Sequence, residues 1–146
     1  MLAQFFSTLT NRDKIPDPDP DERLALAALL VRLARADDDY QESERDQIGR
    51  ILAERYALDE EQSNRLRDEA EQFESDAPDT VRFTRAIKDA VPYEARLGII
   101  ETLWQVALAD GERGAHEDAL IRLSSNLLGI SDRDSALTRQ KVSRAP

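Results

Sequence analysis

A chain of 146 residues, 40% of them hydrophobic, carries enough apolar material for the core of one domain. Its 20 basic and 30 acidic residues leave a net charge of -10, which would repel a phosphate backbone over most of the surface and excludes a general nucleic-acid binder. No cysteine, a single histidine and five glycines exclude disulfides, thiolate or His-rich zinc sites and a glycine-rich phosphate loop.

Leu2, Phe5, Phe6 and Leu9 fall at helical spacing and predict a small apolar face over residues 2–10. That face is too small for stable membrane binding alone; it suits packing on its own domain or on a second copy, as in a homodimer. Alternate prolines from Ile15 to Pro20 then predict an extended linker. Asp21 is the expected N-cap of a first long helix over 21–37, with Leu26, Leu29, Leu30, Leu33 and Ala34 as its stripe. The longest unbroken apolar run, Leu24 to Val31, is far too short to span a bilayer.

A second helix is expected over 42–56, marked by Ile48, Ile51, Leu52 and Tyr56, and a third, strongly charged, over 59–74. Ala77-Pro78 predicts the opening of a fourth, carrying Val81, Phe83, Ile87 and Val91. Pro92 breaks it and starts a fifth, where Leu97, Ile100, Leu103, Trp104, Ala107 and Leu108 line the buried side. A sixth over 115–128 ends at Gly129, and Ser131 caps a final short helix. The fold class is therefore all-α, a bundle of about seven helices. Residues 1–20 form the N-terminal segment and linker, 21–140 the helical domain and 141–146 a disordered tail.

An offset of 73 residues pairs Arg23 with Arg96, Leu30 with Leu103, Ala34 with Ala107 and Ile48 with Ile121. It also pairs Ala36-Asp37 with Ala109-Asp110, and Glu44 with Glu117. Two pseudo-repeated helical hairpins are the expected core. In each, a long apolar helix ends in Ala-Asp, and a Glu follows that Asp by seven residues.

The first copy of this acidic turn runs Ala36-Asp37-Asp38-Asp39-Tyr40-Gln41-Glu42-Ser43-Glu44, and the second Ala109-Asp110-Gly111-Glu112-Arg113-Gly114-Ala115-His116-Glu117. With these turns the chain resembles the TerB tellurite-resistance family and the related N-terminal domain of the DjlA co-chaperones, over roughly residues 21–135. The resemblance implies an all-α bundle whose hairpins carry an Ala-Asp-Gly turn followed by Glu, a link to tellurite resistance and stress responses, and metal binding through acidic residues. The first copy departs from that pattern, with Asp38 where the glycine is expected.

Asp37, Glu44, Asp110 and Glu117 are the candidate metal ligands, with Asp39 and Glu112 as auxiliary ones, because Ca²⁺, Mg²⁺ and Mn²⁺ select oxygen donors of this kind. Helix capping explains the same residues without a ligand. If Gln41 and Gly114 are N-caps, Glu44 and Glu117 fall at the third helical position, where a carboxylate meets the positive end of the helix dipole. An EF-hand is excluded, since the sixth position from either Asp is not Gly and the twelfth is Ile48 or Ile121. His116 reads as a solvated surface residue and Trp104 as core.

No nucleophile–base set is present, so the expectation is a non-enzymatic, cytoplasmic module that requires no cofactor but suits a divalent cation. The alternative is an adaptor with purely structural acidic turns that docks a protein partner, peripherally at the inner membrane.

Overall fold

The computed structural model describes residues 21–36, 39–77, 79–108 and 115–144. They form seven helices and no strand: α1 Glu22–Ala34, α2 Glu42–Tyr56, α3 Glu60–Asp76, α4 Val81–Ala90, α5 Tyr93–Leu108, α6 Ala115–Leu127 and α7 Asp132–Arg144. The expected N-terminal apolar segment and linker lie outside the described residues. No helix among those described is long and apolar enough to cross a membrane.

Local chemistry sets most of the helix ends. Asp21 caps α1, its carboxylate accepting from Leu24 N at 2.8 Å. Asp59 and Gln62 satisfy each other's backbone N–H groups at the start of α3, at 2.7 and 3.0 Å. Gly129 closes α6 at φ +75°, where a side chain would be strained, and its neighbour Ile130 N donates to Ser125 O at 2.8 Å. Together with Gly129 N to Asn126 O, this bond ends the helix in a Schellman turn.

The core is built around α1. Every residue from Ala25 to Val31 is completely buried, so the single stripe expected for this helix is too narrow. A helix that is apolar all round has to be enclosed all round. α2, α3, α4, α5 and α6 all pack against it. The second central helix is α5, where Ile99, Ile100, Leu103, Trp104, Val106 and Ala107 are buried. Leu30 and Leu103, Ala34 and Ala107, and Ile48 and Ile121, the pairs related by the 73-residue offset, are all buried. The offset pairs diverge one turn later. Leu52 is core, whereas its counterpart Ser125 donates its hydroxyl to Ile121 O at 2.8 Å.

Two expectations need correction. The fourth helix starts at Val81, not at Pro78, and Val81 is 43% exposed. Ala77 precedes a proline and is held extended, so α3 ends there. Asp79 and Thr80 then initiate α4, with Asp79 Oδ1 accepting from Val81 N at 3.0 Å. The last helix is not short: it runs through Arg144, and Val142 packs against the core, so residues 141–144 are helix rather than tail.

Leu103, at 1% exposure, belongs to the buried core. Replacing it with Ala should lower unfolding stability by about 2–5 kcal/mol in a denaturant titration. An unchanged midpoint would contradict its place in the core.

Candidate functional site

The first acidic turn leads into α2, and its described part is organised by Gln41. The Gln41 backbone N–H donates to Glu44 Oε1 at 3.2 Å, and its side-chain amide donates to Asp39 Oδ2 at 2.9 Å. Glu44 therefore occupies the third helical position and performs the capping role that its spacing predicts. Asp39 is exposed, and Asp37 lies outside the described residues.

The side chain that anchors this turn is Tyr40, which sequence reasoning missed as a site residue. Its hydroxyl donates to Glu71 Oε2 on α3 at 2.7 Å, and the Arg35 guanidinium lies 5.0 Å from its ring centre. Arg45 Nε donates to the same Glu71 oxygen at 2.8 Å. Arg35 also reaches Glu74 Oε1 at 2.6 Å, and Arg32 reaches Glu74 Oε2 at 2.9 Å.

This cluster solves a problem at the end of α3. The last turn of that helix contains no basic residue, and its terminal carbonyls need donors. Arg32 Nη2 supplies them, to Ala77 O at 2.8 Å and Glu74 O at 3.2 Å, while its guanidinium lies over the Phe83 ring. One signal was available in the sequence. Arg32 and Arg35, like Glu71 and Glu74, are three residues apart, which puts each pair on one helix face.

Burial, and then the bond to Glu71, push the Tyr40 phenol well above its ordinary value of 10.0. Tyr56 moves the same way through burial and the nearby Glu22 carboxylate, to which its hydroxyl donates at 3.0 Å.

Of the second acidic turn, Asp110 and Glu112 lie outside the described residues. Glu117 stands in the first turn of α6 and is 7% exposed, while its neighbour His116 is exposed. Asp39 and Glu44 share one turn, but neither is gathered with Glu117. Among the described residues, no three His, Asp or Glu side chains form a group able to hold a metal. Trp104 is core, as its helical spacing predicts. Its indole N–H donates to the buried Ser135 hydroxyl at 3.4 Å, and Arg139 lies 5.6 Å from its ring centre.

An all-helical bundle in which acidic stretches of the sequence follow the central helices α1 and α5 is the class of protein that the fold and these residues define. The family model described as tellurite resistance protein TerB matches residues 23–140, from the start of α1 into α7. The chain belongs to the TerB family. No curated protein and no solved structure matches it.

The tyrosine shifts have a fixed sign. A phenol whose folded pKa is raised stabilises the fold fully below the unfolded value, and that contribution is lost as pH rises through the folded one. Stability should therefore fall above pH 10, and less steeply in Tyr40→Phe, while phenolate absorbance of the native protein lags that of free tyrosine. At neutral pH the same substitution should cost about 0.5–1.5 kcal/mol through its lost hydrogen bond. A native protein that titrates like free tyrosine would refute the Tyr40–Glu71 anchor.

Proposed function

We propose that this chain is a non-enzymatic helical module of tellurite resistance or stress response that holds a divalent cation, Ca²⁺, Mg²⁺ or Mn²⁺, at its second acidic turn. Asp110, Glu112 and Glu117 supply the oxygen donors, and the first turn, with Asp37, Asp39 and Glu44, is a weaker counterpart. The observation that carries the reading is the place of Glu117, in the first turn of α6 directly after the second acidic stretch, within a chain of the TerB family. Hard divalent cations take carboxylate oxygens as donors, and Asp110 and Glu112 precede Glu117 by seven and five residues in the sequence. In the first turn, Glu44 is committed to the Gln41 N–H. The proposed setting is the cytoplasm, with the N-terminal apolar segment as a docking element for a protein partner or the inner-membrane face.

The same Gln41–Glu44 bond favours a second reading, in which both turns are purely architectural and the module is an adaptor. Melting the metal-free protein with each cation separates the two. A cation that binds the native state alone stabilises it by about 2.7 kcal/mol at a hundredfold excess over the dissociation constant. The melting temperature should rise with one divalent cation, and the double change Asp110→Asn with Glu117→Gln should abolish that rise. Glu44→Gln should leave the rise intact and lower stability by about 0.3–1 kcal/mol, as expected for a lost contact with the helix dipole. No rise with any cation at millimolar concentration would leave the turns as architecture.

A further inference from the structure

Away from both acidic turns, α2 and α3 enclose a cleft of about 370 Å³, and Arg67 forms part of its wall. Arg67 is only 8% exposed, yet its charge is poorly matched. Nη1 donates to Arg45 O at 3.3 Å and Nη2 to Asp68 Oδ1 at 3.4 Å, both long, and Nε is buried without a partner. The carboxylate it touches is on the surface, since the Asp68 side chain is 61% exposed. Arg32 is the internal contrast. All three of its guanidinium nitrogens are engaged, by Glu74, Thr80 and two backbone carbonyls. A buried guanidinium left short of acceptors is expensive to keep, which points to an acceptor that arrives from outside.

The opposite wall is made to admit one. Gly49 lies within α2, where alanine would ordinarily be better by roughly 0.5–1 kcal/mol. A Cβ at this position would sit 3.3 Å from Arg67 Nη1 and 3.7 Å from both Asn64 Oδ1 and Ser63 Oγ. The Ser63 hydroxyl is already spent on Gly49 O, which leaves Arg67, the Asn64 amide and Arg50 as the donors lining the cleft. Asp46 and Glu60 line it as well, so a polyanion would be repelled while one small acceptor group would not.

We propose that this cleft is an anion site in which the Arg67 guanidinium receives the carboxylate or oxyanion of a small solute, with Asn64 and Arg50 assisting. A planar fork of donors matches two oxygen acceptors in a way that an ammonium does not. The site is separate from the proposed cation turn, and neither depends on the other.

The test is a titration of the full chain with sodium phosphate, sulfate or acetate at constant ionic strength, with chloride as the control. Amide chemical shifts of Gly49, Ser63, Asn64 and Arg67 report binding. Saturable shifts confined to these residues are expected, with phosphate or sulfate ahead for an inorganic oxyanion and acetate ahead for a carboxylate solute. Arg67→Lys keeps the charge but loses the fork and should weaken binding by about tenfold or more. Gly49→Ala should weaken it by filling the cleft. Asp46→Asn, a surface change, should tighten it several-fold by removing a repelling charge, an effect that a merely structural Arg67 would not produce. If Arg67→Lys does not fold, the other two variants decide the matter. Shifts no larger than those with chloride, or binding indifferent to Gly49→Ala and Asp46→Asn, would overturn the proposal.

Discussion

From Ala25 to Val31 the first helix offers no side chain to water, and α2 through α6 close around it. Such a helix cannot be laid on a finished bundle; the bundle has to assemble about it. Its small side chains, Ala25, Ala27 and Ala28, let neighbouring backbones approach, while Leu26, Leu29, Leu30 and Leu33 fill the space between them. Removing this much apolar surface from water is the main force available to a chain with so many surface charges. The polar end of α1 is equally constrained. Arg32 and Arg35 emerge where the apolar run stops and meet the unsatisfied carbonyls and carboxylates at the end of α3. Burial positions α1, and these arginines bind the end of α3 against it.

That arrangement governs the first acidic turn. Just ahead of α2, Tyr40 is held by its hydroxyl bond to Glu71, which Arg45 shares. The described end of the turn is thereby tied to α3, and Glu44 caps α2. The surroundings of the second hairpin differ. Serines take the buried polar positions there, with Ser125 and Ser135 joined hydroxyl to hydroxyl at 3.3 Å beneath Trp104. Positions paired by the 73-residue offset thus bury the same apolar side chains but carry different polar chemistry.

The protein also treats its buried cations unequally. Arg32 is surrounded by acceptors and an aromatic ring, and its burial contributes order at a helix end. Arg67, in the middle of α3, has two long bonds and an idle Nε, with its Nη1 against Gly49 of α2. Packing alone accounts for the first. The second makes better physical sense as a receptor for something small and negatively charged.

Much of the fold was legible in the residues because its signals are local. Asp21, Asp59, Pro92 and Gly129 mark helix ends through partners only a few residues away, and an apolar period of 3.6 needs no knowledge of the rest of the chain. The Gln41–Glu44 capping bond was legible for the same reason. The run Leu24–Val31 was visible too, but a stripe and a fully enclosed helix differ only in how many neighbours arrive, which the tertiary structure decided. The start of α4 was missed because Pro78 is compatible with a helix start or a connection; the extended residue before it and the Asp79 cap decide for a connection, and Arg32 reaches the Ala77 carbonyl from 45 residues away. Tyr40, Glu71, Arg67 and the burial of Glu117 were likewise beyond local reading. A charged or phenolic side chain looks the same in sequence whether it faces water or another helix, and only the docking of distant helices determines which partner, if any, it meets.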